Sequence, residues 1–135
     1  MNYLAILLAG IAGYVFGAVY YMTLGDAWMK AQGKTKADIM GPDGKGSATP
    51  FIIAAIAALV MAFVLAGTIG HLGQGQVTVR NGMISGAFVW AGFILTTTLV
   101  NHAYQGQKLS LTVIDTVHWL GVLLIQGAVI GLMGV

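Results

Sequence analysis

The residues able to do chemistry crowd into the last third of the chain. Asp115 and His118 stand three apart, Asn101 and His102 close the preceding apolar run, and Thr97 and Gln126 extend the set on either side. A carboxylate three residues from an imidazole shares its face of a helix. Such a pair exchanges protons near neutral pH, where unperturbed histidine titrates. Asp115 with His102 and His118 also supplies the donor types of a metal or haem site, which needs three or more ligands in matched geometry. The third chemistry is plain hydrogen bonding between helices, for which Thr97, Asn101 and Gln126 suffice.

The surroundings of these residues bound what they do. The 135-residue chain is 58% hydrophobic and 7% charged, where a soluble domain carries about 25% charged residues. So few charges cannot solvate a globule of this size, and a membrane protein is the expectation. A net charge of +2 suits contact with anionic lipid headgroups and not nucleic acid. The absence of cysteine excludes disulfides, thiolate metal sites and cysteine nucleophiles. No HExxH sequence occurs, and no serine stands in a nucleophile motif. No catalytic residue, metal or cofactor is therefore assigned.

Four apolar runs must position the polar residues, at about 3–21, 51–72, 82–104 and 109–134. Each is long enough to cross the hydrocarbon core, which takes roughly 20 residues. No Lys or Arg precedes the first run and it ends in Tyr20-Tyr21-Met22, so a retained helix is expected and not a cleaved signal. Small residues recur every four positions: Ala5, Ala9, Gly13 and Gly17 in the first run, and Ala54, Ala58, Ala62, Ala66 and Gly70 in the second. Small faces let helices approach closely in lipid, so these two are expected to pack against each other, antiparallel. Gly127 and Gly131 form a further small pair. In the third run Trp90, Thr97 and Asn101 share a helical face, and in the fourth Asp115, Trp119 and Gln126 lie along a stripe. The turn between these runs is short, so the stripes should face each other. Asp115 follows Lys108 by seven residues, about 10 Å along a helix.

Residues 22–50 read as one longer polar loop. Tyr20, Tyr21 and Trp28 are placed as anchors at the headgroups, where such rings collect. Thr35 and Asp38 have capping-box spacing, predicting a short surface helix. The run Gly41 to Ser47 suggests a phosphate loop, but Ile39 stands where its first glycine belongs. Lys30, Lys34, Lys36, Lys45 and Lys108 lie in the first and third connections, against Arg80 alone in the second. The positive-inside rule then places both termini outside.

The runs Tyr20-Tyr21-Met22-Thr23-Leu24-Gly25-Asp26-Ala27-Trp28-Met29 and Thr96-Thr97-Thr98-Leu99-Val100-Asn101-His102, with Asp115 opening the last helix, resemble small membrane proteins catalogued as domain of unknown function 1761. Tyr20, Tyr21, Gly25 and Trp28 fit that family's aromatic-Tyr pair and Gly-x-x-Trp segment. A proline common after the tyrosine is absent, with Thr23 nearby. His102 and His118 stand where aromatic or apolar residues are more usual, so histidine chemistry here is not inherited. The resemblance implies a four-helix integral membrane protein, mainly bacterial, and supplies no activity.

The expectation is an all-α integral membrane bundle of four transmembrane helices, multi-pass in a bacterial cytoplasmic membrane. Its partners are the lipid bilayer and either copies of itself or a larger membrane complex. Three roles stay open: a structural or assembly role through helix packing, an oligomeric proton or small-solute transporter using Asp115 and His118, and an accessory subunit of a larger complex. Four short helices rarely enclose a route alone, so transport requires an oligomer.

Overall fold

The computed structural model describes residues 1–135 and contains helices and no strands. Helix α1 (Tyr3–Gln32) is followed by the short α2 (Lys36–Met40) and by α3 (Thr49–Gly70). Then α4 (Val79–Val89), a π-helical turn (Trp90–Leu95) and α5 (Thr96–Tyr104) run on as one continuous span, and α6 (Leu109–Met133) ends the chain. Four segments are long and apolar enough to cross a membrane: α1, α3, α4 to α5, and α6.

Residues 22–32, read as part of the polar loop, are helical instead. No proline or paired glycine interrupts the chain there, and α1 stops only at Gly33, whose φ of 67° is the left-handed conformation that glycine tolerates. At 1.5 Å per residue α1 is about 45 Å long, which exceeds a hydrocarbon core of about 30 Å. Helix α2 forms where Thr35 and Asp38 place it, with both reciprocal capping bonds present. The Thr35 backbone N–H donates to Asp38 Oδ2 at 2.8 Å and its hydroxyl at 2.9 Å. These bonds hold the exposed carboxyl below its ordinary range. Pro50 sits in the first turn of α3, where its missing N–H is harmless.

Helix α6 is the hub: it packs against α1, α3 and the α4–α5 span. The apolar core joins Ile6 and Ala9 of α1, Ala62, Leu65, Ala66 and Ile69 of α3, and Leu123 and Ile130 of α6. The small stripe of α1 is buried, and the adjacent Gly10 faces a different helix from the stripe's Gly13 and Gly17. A Cβ on Gly10 would strike Leu59 of α3, whereas one on Gly13 would lie 2.9 Å from Gln126 Nε2, and one on Gly17 would lie 2.7 Å from His118 Nε2. Gly13 and Gly17 therefore admit α6 and not α3. Ala58 and Ala62 are buried, and Ala58 exposes its carbonyl to Gln126. The tightest crossing is α4 on α6. A Cβ on Gly82 or Gly127 would fall on the other's carbonyl, and one on Gly131 would fall on that of Thr78.

Candidate functional site

The polar site lies at the end of the bundle near the Gln105–Lys108 turn. It is assembled from α1, α5 and the first turns of α6. Asp115 is the centre. Tyr21 of α1 donates its hydroxyl to Asp115 Oδ1 at 2.7 Å. On the other side His102 Nε2 lies 3.9 Å from Asp115 Oδ2. The His102 Nδ1 is 2.9 Å from the Thr112 hydroxyl. Tyr20 donates to the Ile114 carbonyl at 2.6 Å, and Trp90 Nε1 donates to the Thr116 carbonyl at 2.7 Å. The cluster thus binds three spans together through side chains that would otherwise be unpaired in lipid. Asp115 and His102 keep 23% and 15% of their side-chain surface exposed, so the cluster is only partly enclosed.

His118 is buried beside this cluster and takes no part in it. Its ring lies among Phe16, Tyr20, Tyr21 and Trp119, with centroids 4.5–6.3 Å away. Its Nδ1 is buried and unpartnered. The absent Cβ of Gly17 makes room for the ring. His118 is therefore not the proton partner of Asp115 that their three-residue spacing suggests. The ring contacts turn it toward α1 instead. No three His, Asp or Glu side chains converge as a ligand set.

Thr97 and Asn101 also fall outside the site. Both are exposed, and Thr97 donates back to the Phe93 and Ile94 carbonyls of its own span. The reason is the π turn. A π turn holds one residue more than an α turn. Beyond it every side chain is displaced by about 100° from its α-helical direction. The face shared by Trp90, Thr97 and Asn101 in an unbroken α-helix is broken, and His102 takes their place opposite α6. Gln126 lies far from Asp115, fully buried, and donates to the Ala58 carbonyl at 3.0 Å. Its Oε1 has no partner.

The residue missed from sequence is Tyr21. Ending the first span at residue 21 sets this side chain at the headgroups. Its signal is the helix that continues past it: 11 further residues of α1 carry it about 16 Å from the helix end, to the depth of Asp115. Tyr20 likewise turns inward. Trp28 packs edge-on against Tyr21 at 5.9 Å and so supports it from above.

A helical bundle with four helices long and apolar enough to span a membrane, joined at one end by a carboxylate-centred hydrogen-bond cluster, defines a class of small multi-pass membrane protein. The model of one family, described as protein of unknown function (DUF1761), matches residues 4–131, and the chain belongs to that family. No curated protein and no solved structure matches the chain.

Proposed function

We propose that this protein is a non-enzymatic packing module of the membrane, with a structural or assembly role exerted through α6. The observation that carries this reading is the direction of the polar side chains. Those of Asp115, Thr112 and Gln126 end on α1, α5 and α3 in turn. Two backbone carbonyls of α6 take up Tyr20 and Trp90, and Asn2 donates to a third, that of Met133. Interhelical hydrogen bonds of this kind average only about 0.6 kcal/mol in membranes. They specify which helices meet and in what register more than they add stability. The exposed apolar side chains of the α4–α5 span, among them Phe88, Phe93 and Leu99, suit a second copy or a larger complex as partner.

Native mass spectrometry of the detergent-purified protein tests this role. Copies of the chain or stoichiometric partner subunits are expected. A strictly monomeric particle at all protein concentrations would count against assembly.

A second reading, an oligomeric proton or small-solute transporter, draws on the contiguous run Tyr21–Asp115–His102–Thr112. Against it, His118 and Gln126 do not continue that run through the bundle. Asp115→Asn separates the two readings. Loss of a flux that the native protein supports in vesicles would favour transport, and unchanged flux with a disturbed particle would favour packing.

We place the chain in a bacterial cytoplasmic membrane with both termini outside, on the lysine content of the first and third connections. A Lys45→Cys variant should resist an impermeant thiol reagent in intact cells, and labelling there would reverse the orientation.

A further inference from the structure

The third span can be read in two registers. In an unbroken α-helix, Thr97 and Asn101 return to within about 20° of Trp90, because each residue turns the helix by about 100°. With the π turn Trp90–Leu95 in place, His102 returns to that face instead. The structure holds the second arrangement: His102 meets Thr112 and Asp115, while Thr97 and Asn101 face outward. Helix α5 therefore carries two polar faces about 100° apart, each with groups able to bond the same side chains of α6.

Three features bear on exchange between them. The Thr96 hydroxyl donates to the Gly92 carbonyl, and that of Thr97 to the Phe93 and Ile94 carbonyls. All three acceptors lie inside the π turn, where regular α-helical pairing is lost. The α5 part of the span is also lightly held, with no buried residue, whereas α4 carries the tight crossing on α6. Rotating α5 thus removes little packing, and a Cβ on Gly92 in the turn would meet nothing within 4 Å. Finally, α5 is joined to α6 through Gly106, whose φ of 67° marks a glycine turn able to absorb the extension of about 1.5 Å that conversion brings.

We propose that Trp90–Leu95 is a two-register device: conversion of the π turn to α-helix rotates α5, withdraws His102 from Asp115 and presents Asn101 and Thr97 in its place. The conversion exchanges an ionisable neighbour of Asp115 for neutral ones. Trp90 stays on α6 in both registers, since it precedes the shift. The contacts of α1 with α6 are also common to both, so failure of this proposal leaves the packing role untouched.

The cysteine-free chain permits a direct test in membranes with a short bifunctional thiol reagent. Three double variants are compared: His102→Cys, Asn101→Cys or Ala103→Cys, each with Thr112→Cys. The 102/112 pair is expected to bridge most, the 101/112 pair to bridge detectably, and the 103/112 pair least. Adding Thr96→Val and Thr97→Val, which keep shape and remove the carbonyl donors, should raise the ratio of 101/112 to 102/112 bridging about fivefold for each hydroxyl removed, the factor of one net hydrogen bond. Deleting Gly92 takes out the extra residue, leaves His102 eleven positions after Trp90 in an unbroken α-helix, and should abolish 101/112 bridging while keeping 102/112. Absence of the 101/112 bridge in the threonine variants overturns the proposal, whether or not the deletion variant folds. So does equal bridging of 101 and 103, which denotes unwinding, or failure of the 102/112 pair in the parent.

Discussion

Tyr21 and Asp115 are 94 positions apart in sequence and 2.7 Å apart in the bundle. The phenol donates and the carboxylate accepts, so α1 and α6 are pinned at one depth. Replacing Tyr21→Phe and Asp115→Leu singly and together should give a coupling free energy of about 0.6–1.7 kcal/mol, between the average and the maximum for interhelical bonds in membranes. Unfolding in mixed detergent micelles measures it. Additive effects would show that the bond contributes nothing in the membrane.

Close backbone approach makes a sharper prediction. Gly82→Ala directs a methyl at the Gly127 carbonyl, and backbone cannot yield as a side chain does. A loss of about 1–3 kcal/mol is expected, as for other overpacked sites. Gly25 lies inside α1, and a methyl added there would meet nothing within 4 Å. Gly25→Ala should therefore stabilise by up to about 1 kcal/mol, the helix propensity difference. The same detergent unfolding separates the two.

Gln126 is fully buried with its Oε1 unpartnered, yet its amide reaches the Ala58 carbonyl. That carbonyl lies within α3, whose own ladder can satisfy it. Gln126→Met removes the bond and the orphaned oxygen together, and near-isosteric removal of both is close to neutral. A change within about 1 kcal/mol is expected. A loss several times larger would show that the amide bond outweighs the orphaned oxygen.

The Thr35–Asp38 cap gives a pH signature outside the membrane. Bonds from Thr35 lower the Asp38 carboxyl below its ordinary 3.8. A depressed folded value means the cap's contribution is fully present above 3.8 and is lost as pH falls through the lowered value. Helix α2 should thus be unchanged from neutral pH to about 5 and fray only below the ordinary carboxylate range. Carboxyl NMR titration checks this, and Thr35→Ala should move the midpoint up toward 3.8.

How far each residue can be read from sequence depends on what its position rests on. The cap at Thr35 and Asp38 is legible because its bonds are local. Asp115 is legible as the centre because a carboxylate in an apolar run requires a partner. Its partner Tyr21 is not, because ending the first span at residue 21 sets the tyrosine at the wrong depth. Thr97 and Asn101 join the cluster only on a periodicity that holds in an unbroken α-helix. Gly13 and Gly17 are legible as a close-packing face, but their neighbour is not.

The sequence by itself determined that the chain is all-helical with four apolar segments of spanning length. Those are properties of composition and run length, which add up residue by residue. It also determined membership of its family, whose model matches residues 4–131. Tertiary structure alone decided which face meets which helix. The π turn at Trp90–Leu95 redirected α5, the glycines of α4 and α6 selected the closest crossing, and α1 ran on to carry Tyr21 to Asp115. Each of these depends on contacts between distant segments, and a repeat within one helix does not encode its partner.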